Sequence, residues 1–251
     1  MSFIVAIYVP EGVVMTADSR LTFTRTESMH DGSRRHLAVG ISNNSRKSFM
    51  TPSGVGLCTY GAASDNRNNP IGGLVDEFIL DHTDEHSDAD GVARDLMVYL
   101  RANQPDMKTG FLVGGYVYGE NEKPEPHIWD LWVADDHLKQ TSVSGNYGLS
   151  WRGVSDVVSR LIQPLWMKSG KTGEYKELPY YQIQWATMSL NEAVDFAVYA
   201  IESTIELMRF QPRNQTVGGE VEVMIITPRG SHWINRKRLR VKRDFYDPGP
   251  R

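Results

Sequence analysis

The chain opens with an apolar hairpin, and this feature restricts its fold more than any other. Phe3 to Val9 is almost continuously apolar, Pro10-Glu11-Gly12 supplies turn chemistry, and Val13 to Ala17 is apolar again. Such a pair reads as a buried β-hairpin. A central strand that starts at residue 3 holds the chain terminus rigidly inside the fold instead of leaving it frayed.

The chain of 251 residues, 40% hydrophobic and 23% charged, carries enough apolar material for one sizeable core. A single domain over 2–235 is therefore expected, followed by a basic tail over 236–251. No apolar run is long enough to span a bilayer, and the opening MSFIVAIYVPEG has neither a basic n-region nor a small-residue cleavage site. The expectation is a soluble, cytoplasmic protein. Cys58 is the one cysteine, so no intramolecular disulfide can form, and its setting in GVGLCTYG suggests a buried strand residue. The net charge of -4 offers nucleic acid no general attraction. The run NRKRLRVKR is locally basic but lacks interleaved aromatics, which suits a solvated or subunit-paired tail better than a nucleic-acid contact.

Polar residues without a period over 19–35 suggest a long loop or irregular hairpin. Strands are expected over 36–42, 45–51 and 54–60, and a helix over 71–82 after the break at Asn66, Asn68, Asn69 and Pro70. Ser87 and Asp90 resemble a capping box for a second helix, whose stripe of Val92, Leu96 and Leu100 runs to Ala102. Strands follow over 110–118, 128–134 and 137–143, then a helix over 149–162. A helix over 190–208 is capped by Ser189 and Glu192, and the strand pair 220–227 and 231–234 turns at Pro228-Arg229-Gly230. This order suits two antiparallel sheets packed face to face with helices on both outer faces, an α+β four-layer αββα sandwich.

Several common catalytic signatures are absent: GxxxxGK[ST], HExxH, paired CxxC and GxSxG. His82 and His86 have the spacing of two ligands on one helix face, but no third ligand is indicated, so no metal or cofactor is expected. No spacing among the Ser, His and Asp residues selects a triad.

The chain start carries the more specific signal. Ser2-Phe3-Ile4-Val5 aligns with a Thr-Thr-Thr-Val start, and GVVMTADSR at 12–20 matches a GVVLAADRR-like segment without a gap. Arg46-Lys47-Ser48-Phe49 matches a Lys-Lys-Ile-Phe-like stretch, and TYGAASD at 59–65 matches the glycine loop that follows at the same distance. SGNYG at 144–148 resembles a Gly-Ser-Gly-Ser segment that precedes the third helix, and VGGEVEVMIITPRG at 217–230 resembles a GGxIDVAVITKDG element. In this order the segments resemble the proteasome β subunits and related bacterial ring peptidases, which are N-terminal-nucleophile hydrolases.

The resemblance implies Ser2 as nucleophile once Met1 is removed, with Asp18, Lys47, the oxyanion glycine Gly61, and Ser144 beside the terminal amine. It also implies that Leu21, Thr59 and Ala63 line a small to medium, uncharged pocket for the residue before the scissile bond. The chemistry is consistent. A free α-amine has a reference pKa of roughly 7.7 to 8.0, so the Ser2 amine could act as base for its own hydroxyl.

Departures from the family are specific. Serine replaces threonine, Met1 alone precedes it, and the family's supporting Asp and Ser fall on Asn214 and Val217. The segment between Asp18 and Lys47 is long, and Leu165 to Met188 reads as an insertion between the last two helices. The leading expectation is a peptidase acting on peptide or unfolded-protein substrates within a ring or stacked homo-oligomer. A small-molecule amidase of the same fold and a noncatalytic ring-assembly subunit are the alternatives.

Overall fold

The computed structural model describes residues 2–29, 32–65, 69–118, 123–170 and 173–237. Most of the basic tail lies outside this set.

Strands β1 (Phe3–Val9) and β2 (Gly12–Asp18) form the opening hairpin, and every residue of both is buried. The polar segment that follows is a second hairpin, β3 (Leu21–Ser28) with β4 (Arg34–Ser42). Two short strands come next, β5 (Ser48–Met50) and β6 (Gly56–Gly61). The first helix pair is α1 (Ile71–His82) and α2 (Ala89–Asn103). Strands β7 (Thr109–Val117), β8 (Glu125–Trp132), β9 (His137–Gln140) and β10 (Gly148–Gly153) lead into helix α3 (Asp156–Ile162). The hairpin β11 (Trp166–Lys168) and β12 (Tyr175–Glu177) precedes helix α4 (Leu190–Met208), and the pair β13 (Val221–Thr227) and β14 (Gly230–Asn235) follows it. The class is mixed α+β, mostly strand.

Two five-stranded sheets dominate, ordered β10-β1-β2-β13-β14 and β5-β6-β7-β8-β9. The period-2 alternation of β1 explains why its sequence is apolar throughout. Phe3, Val5, Ile7 and Val9 face a core shared with α3 and α4, whereas Ile4, Ala6 and Tyr8 face Cys58, Tyr60, Leu112 and Ile128 of the other sheet. The outer face of the second sheet, including Leu57, Phe111 and Leu131, packs on Val75 and Phe78 of α1 and Leu96 and Leu100 of α2. No described helix is long and apolar enough to cross a membrane.

Three local expectations change. The helix expected over 149–162 starts only at Asp156. Leu149 and Trp151 instead alternate with Ser150 and Arg152 in β10, whose inner edge is completed by pairing with β1. At α2 the cap is Asp88, which accepts from the Gly91 N–H at 2.7 Å, while the Ser87 hydroxyl donates to Asp84. Helix α1 ends at His82, which stacks on Phe78 and meets Tyr99 at a tilt, so His86 does not share a helix face with it. The capping box of Ser189 and Glu192 at α4 forms as expected.

Phe111→Ala should leave a void between the second sheet and its helices and destabilise the fold by about 3–5 kcal/mol, read as a fall in denaturant midpoint at unchanged slope.

Candidate active site

Strand β2 ends at Asp18, whose side chain is 0% exposed and accepts four hydrogen bonds. Oδ1 receives the Phe3 N–H at 3.0 Å and Lys47 Nζ at 2.8 Å; Oδ2 receives the Arg20 N–H at 3.1 Å and the Gly218 N–H at 3.0 Å. A carboxylate removed from water is tolerated only when its lone pairs are filled in this way. One side chain thus fixes the start of β1, the lysine before β5, and the approach to β13.

Lys47 is 2% exposed. Burial pulls its ammonium below the ordinary lysine range, and the Asp18 charge and hydrogen bond oppose that pull. Its carbonyl accepts from the Thr59 N–H at 2.8 Å, which registers Lys47 against the strand that ends in Gly61.

Ser2 is 5% exposed, and its carbonyl accepts from the Val154 N–H at 2.8 Å. Gly153, opposite Phe3 in the β1–β10 register, has φ +94°, and a Cβ there would lie 1.8 Å from the Ser2 carbonyl oxygen. Only glycine permits this approach. Gly61 also has a positive φ, +92°, and a Cβ on it would fall 2.5 Å from the Lys108 carbonyl oxygen.

Ser2, Asp18 and Lys47 are therefore built into one buried arrangement, with Gly61 at the end of the adjoining strand. Ser144 is not brought to it. Its exposed hydroxyl donates to Glu125 at 2.8 Å, and Glu125 pairs with Val117, at the end of β7 remote from the Thr109 that pairs with Gly61. The segment that precedes α3 and touches Ser2 is Gly153-Val154, displaced from the expected position because β10 intervenes.

Leu21 and Ala63 line a cavity of about 890 Å³ together with Arg46, Ile71, Glu222 and Trp233. Thr59 does not line it, since its side chain is buried and donates to the Gly110 carbonyl at 3.3 Å. The cavity is neither small nor uncharged. Arg46 pairs with Asp76 at its rim, and burial raises the carboxyl of Glu222 above the usual range although Oε1 accepts the Lys237 N–H at 3.3 Å. Cys58 is buried, and burial pushes its thiol up to about 12, in keeping with a structural residue.

Two further positions were not legible as site residues. Arg20 donates through Nε to Asn43 at 2.8 Å and through Nη1 to the Gln215 carbonyl at 3.3 Å, holding the loop that delivers the Gly218 N–H. A Cβ on Gly218 would lie 2.3 Å from the Arg20 guanidinium carbon. The GG element signalled this loop, but nothing in the sequence signalled its tie to Arg20. Val217 packs in the core with Phe3, and Asn214 lines a separate cavity of about 730 Å³ with Val154.

Asp18→Asn should strand the Lys47 ammonium in a dry site and cost about 3–5 kcal/mol in chemical denaturation. The double substitution Asp18→Asn with Lys47→Met should lose less than Asp18→Asn alone, because the unpaired charge is gone.

No protein-family model and no curated protein matches the chain. Among solved structures, Anbu (ancestral beta-subunit) from Yersinia bercovieri is 15% identical, with a TM-score of 0.53 over 94% of this chain and 88% of that one. The Gly-1 mutant of Anbu from Hyphomicrobium sp. strain MC1 is 16% identical, with a TM-score of 0.58 over 96% of this chain and 88% of that one. A second structure of Hyphomicrobium Anbu gives 15% and 0.54 over 94% and 88%. At such identities the likeness concerns the fold, and the chain has a fold of the Anbu type along nearly its whole length.

Proposed function

We propose that the chain is a proteasome-like N-terminal-nucleophile hydrolase that cleaves peptide bonds through Ser2, exposed by removal of Met1. The observation that carries this reading is the Asp18 carboxylate, which joins the backbone beside Ser2 to a buried lysine. In this reading the two sheets and their flanking helices form a four-layer αββα sandwich over a single domain, 2–235, in a soluble cytoplasmic protein with a basic tail at 236–251.

The reaction is an acyl transfer. The Ser2 amine takes the proton of the Ser2 hydroxyl, and Oγ attacks the substrate carbonyl. The tetrahedral oxyanion is held by the Gly61 N–H, with the Lys47 charge nearby lowering its energy. The peptide C–N bond breaks as the ammonium returns the proton to the leaving amine, and water then hydrolyses the ester. Asp18 keeps Lys47 oriented. The cavity beside Leu21 and Ala63 receives the substrate side chain before the scissile bond.

Assembly of copies into a ring or stack is part of the proposal. It is supported by the apolar side chains of the insertion between α3 and α4, where Trp166 is 58% and Tyr181 91% exposed. A noncatalytic subunit is the second reading, favoured by Val217, which offers no hydrogen bond at the position where the family has a supporting serine.

With Met1 removed, the protein should hydrolyse short fluorogenic peptide amides, and Ser2→Ala should abolish the activity while remaining folded. The rate should rise with pH, because only the neutral amine is a base. The midpoint of that rise reports the titration of the Ser2 amine, whose free value is roughly 7.7. Undiminished turnover in Ser2→Ala would exclude the mechanism.

A further inference from the structure

A polar cluster built on one buried carboxylate adjoins the apolar layer between the two sheets, with the Arg152 side chain 35% and that of His137 47% exposed. Asp130 on β8 lies on the same inter-sheet face as its partner Leu112 and is 3% exposed. Its Oδ1 accepts from the Tyr60 hydroxyl at 2.9 Å, and its Oδ2 pairs with Arg152 Nη2 at 2.6 Å. Tyr60 belongs to the second sheet, as Asp130 does, but Arg152 belongs to β10 of the first. His137 Nε2 on β9 lies 3.6 Å from the same Oδ2.

The neighbours of these residues give the cluster its meaning. Tyr60 immediately precedes Gly61, at the end of β6. Arg152 immediately precedes Gly153, which packs on the Ser2 carbonyl, and Val154, whose N–H binds that carbonyl. Arg152 is also opposite Ile4 in the β1 register. The chain around Ser2 and the chain ending in Gly61 come from different sheets, and apolar packing between sheets is non-directional. Directional bonds to one carboxylate would fix their relative position. Burial and then the Asp130 charge hold the Tyr60 phenol well above its ordinary range, and the Asp130 bonds outweigh the effect of burial on Arg152, so Tyr60 stays a donor and Arg152 stays charged.

We propose that Asp130 is a positioning residue, which sets the place of Gly61 relative to Ser2 by bridging the sheet of one to the sheet of the other. The inference rests on the acyl-transfer reading above for its catalytic consequence but not for the bridge itself. Asp130 touches neither Ser2 nor Gly61 and acts through Tyr60 and Arg152.

The test uses Asp130→Asn, and Tyr60→Phe as a milder variant that removes one hydroxyl. Acylation of Ser2 is timed per active site after titration with an irreversible inhibitor, and amide hydrogen exchange is followed by mass spectrometry. Asp130→Asn should slow acylation per active site roughly 10- to 100-fold with KM changed little, since misplacement of about 1 Å can cost that much. Exchange should rise together in peptides covering residues 2–8 and 57–62, and not in α2. A fall in the number of active sites with an unchanged rate at each would overturn the proposal, as would unchanged exchange in both peptides. If the native protein takes no acyl group, exchange alone decides: a joint rise upholds the bridge and defeats the hydrolase reading, and no rise defeats both. If Asp130→Asn does not fold, the same criteria apply to Tyr60→Phe.

Discussion

A carboxylate shut away from water has to find its donors in the protein, and Asp18 finds four of them in four separate stretches of chain. Most of the candidate site depends on this. The Phe3 N–H ties Asp18 to the residue after Ser2, Lys47 brings in the lead to β5, Arg20 fixes the exit of β2, and Gly218 fixes the entry to β13. At 2% exposure the Lys47 ammonium depends for its stability on the partner 2.8 Å away. The pair is costly to bury and still more costly to break, which fits a site that must be rigid more than a device for stability alone.

Backbone groups complete what the carboxylate begins. The Ser2 carbonyl is held by Val154, and the approach of Gly153 leaves no room for a side chain. The Ser2–Phe3 peptide group is thus held at both edges, through its carbonyl oxygen and its N–H. The bonds of Asp130, one to Tyr60 within its own sheet and one to Arg152 of the other, extend the same principle: hydrophobic burial brings the sheets together, and a few directional contacts set where their ends lie.

Much of the framework was legible in the sequence because it follows from periodicity. The opening hairpin, α1, α2, α4 and the closing strand pair all lie close to their expected bounds. Asp18 and Lys47, joined here by a bond of 2.8 Å, were indicated only by an ordered set of resembling segments, since neither residue is distinctive alone. The errors have physical causes. Leu149 to Arg152 can be read with helical or strand period, and only pairing with β1 decides between them. That shift of β10 carried Ser144 away from Ser2. The cavity beside Leu21 gained Glu222 and Trp233 from the closing strands, a long-range contact that no local pattern encodes. Tyr60, Asp130 and Arg152 are joined by contacts of the same kind.

The central claim is that Ser2 carries both the attacking hydroxyl and the base that activates it. A peptide epoxyketone needs both groups on one N-terminal residue, so intact-mass spectrometry after incubation with it tests that claim most directly. Loss of Met1 and a single adduct that disappears in Ser2→Ala are the expected result. Retention of Met1, or a free Ser2 that takes no adduct, would contradict it.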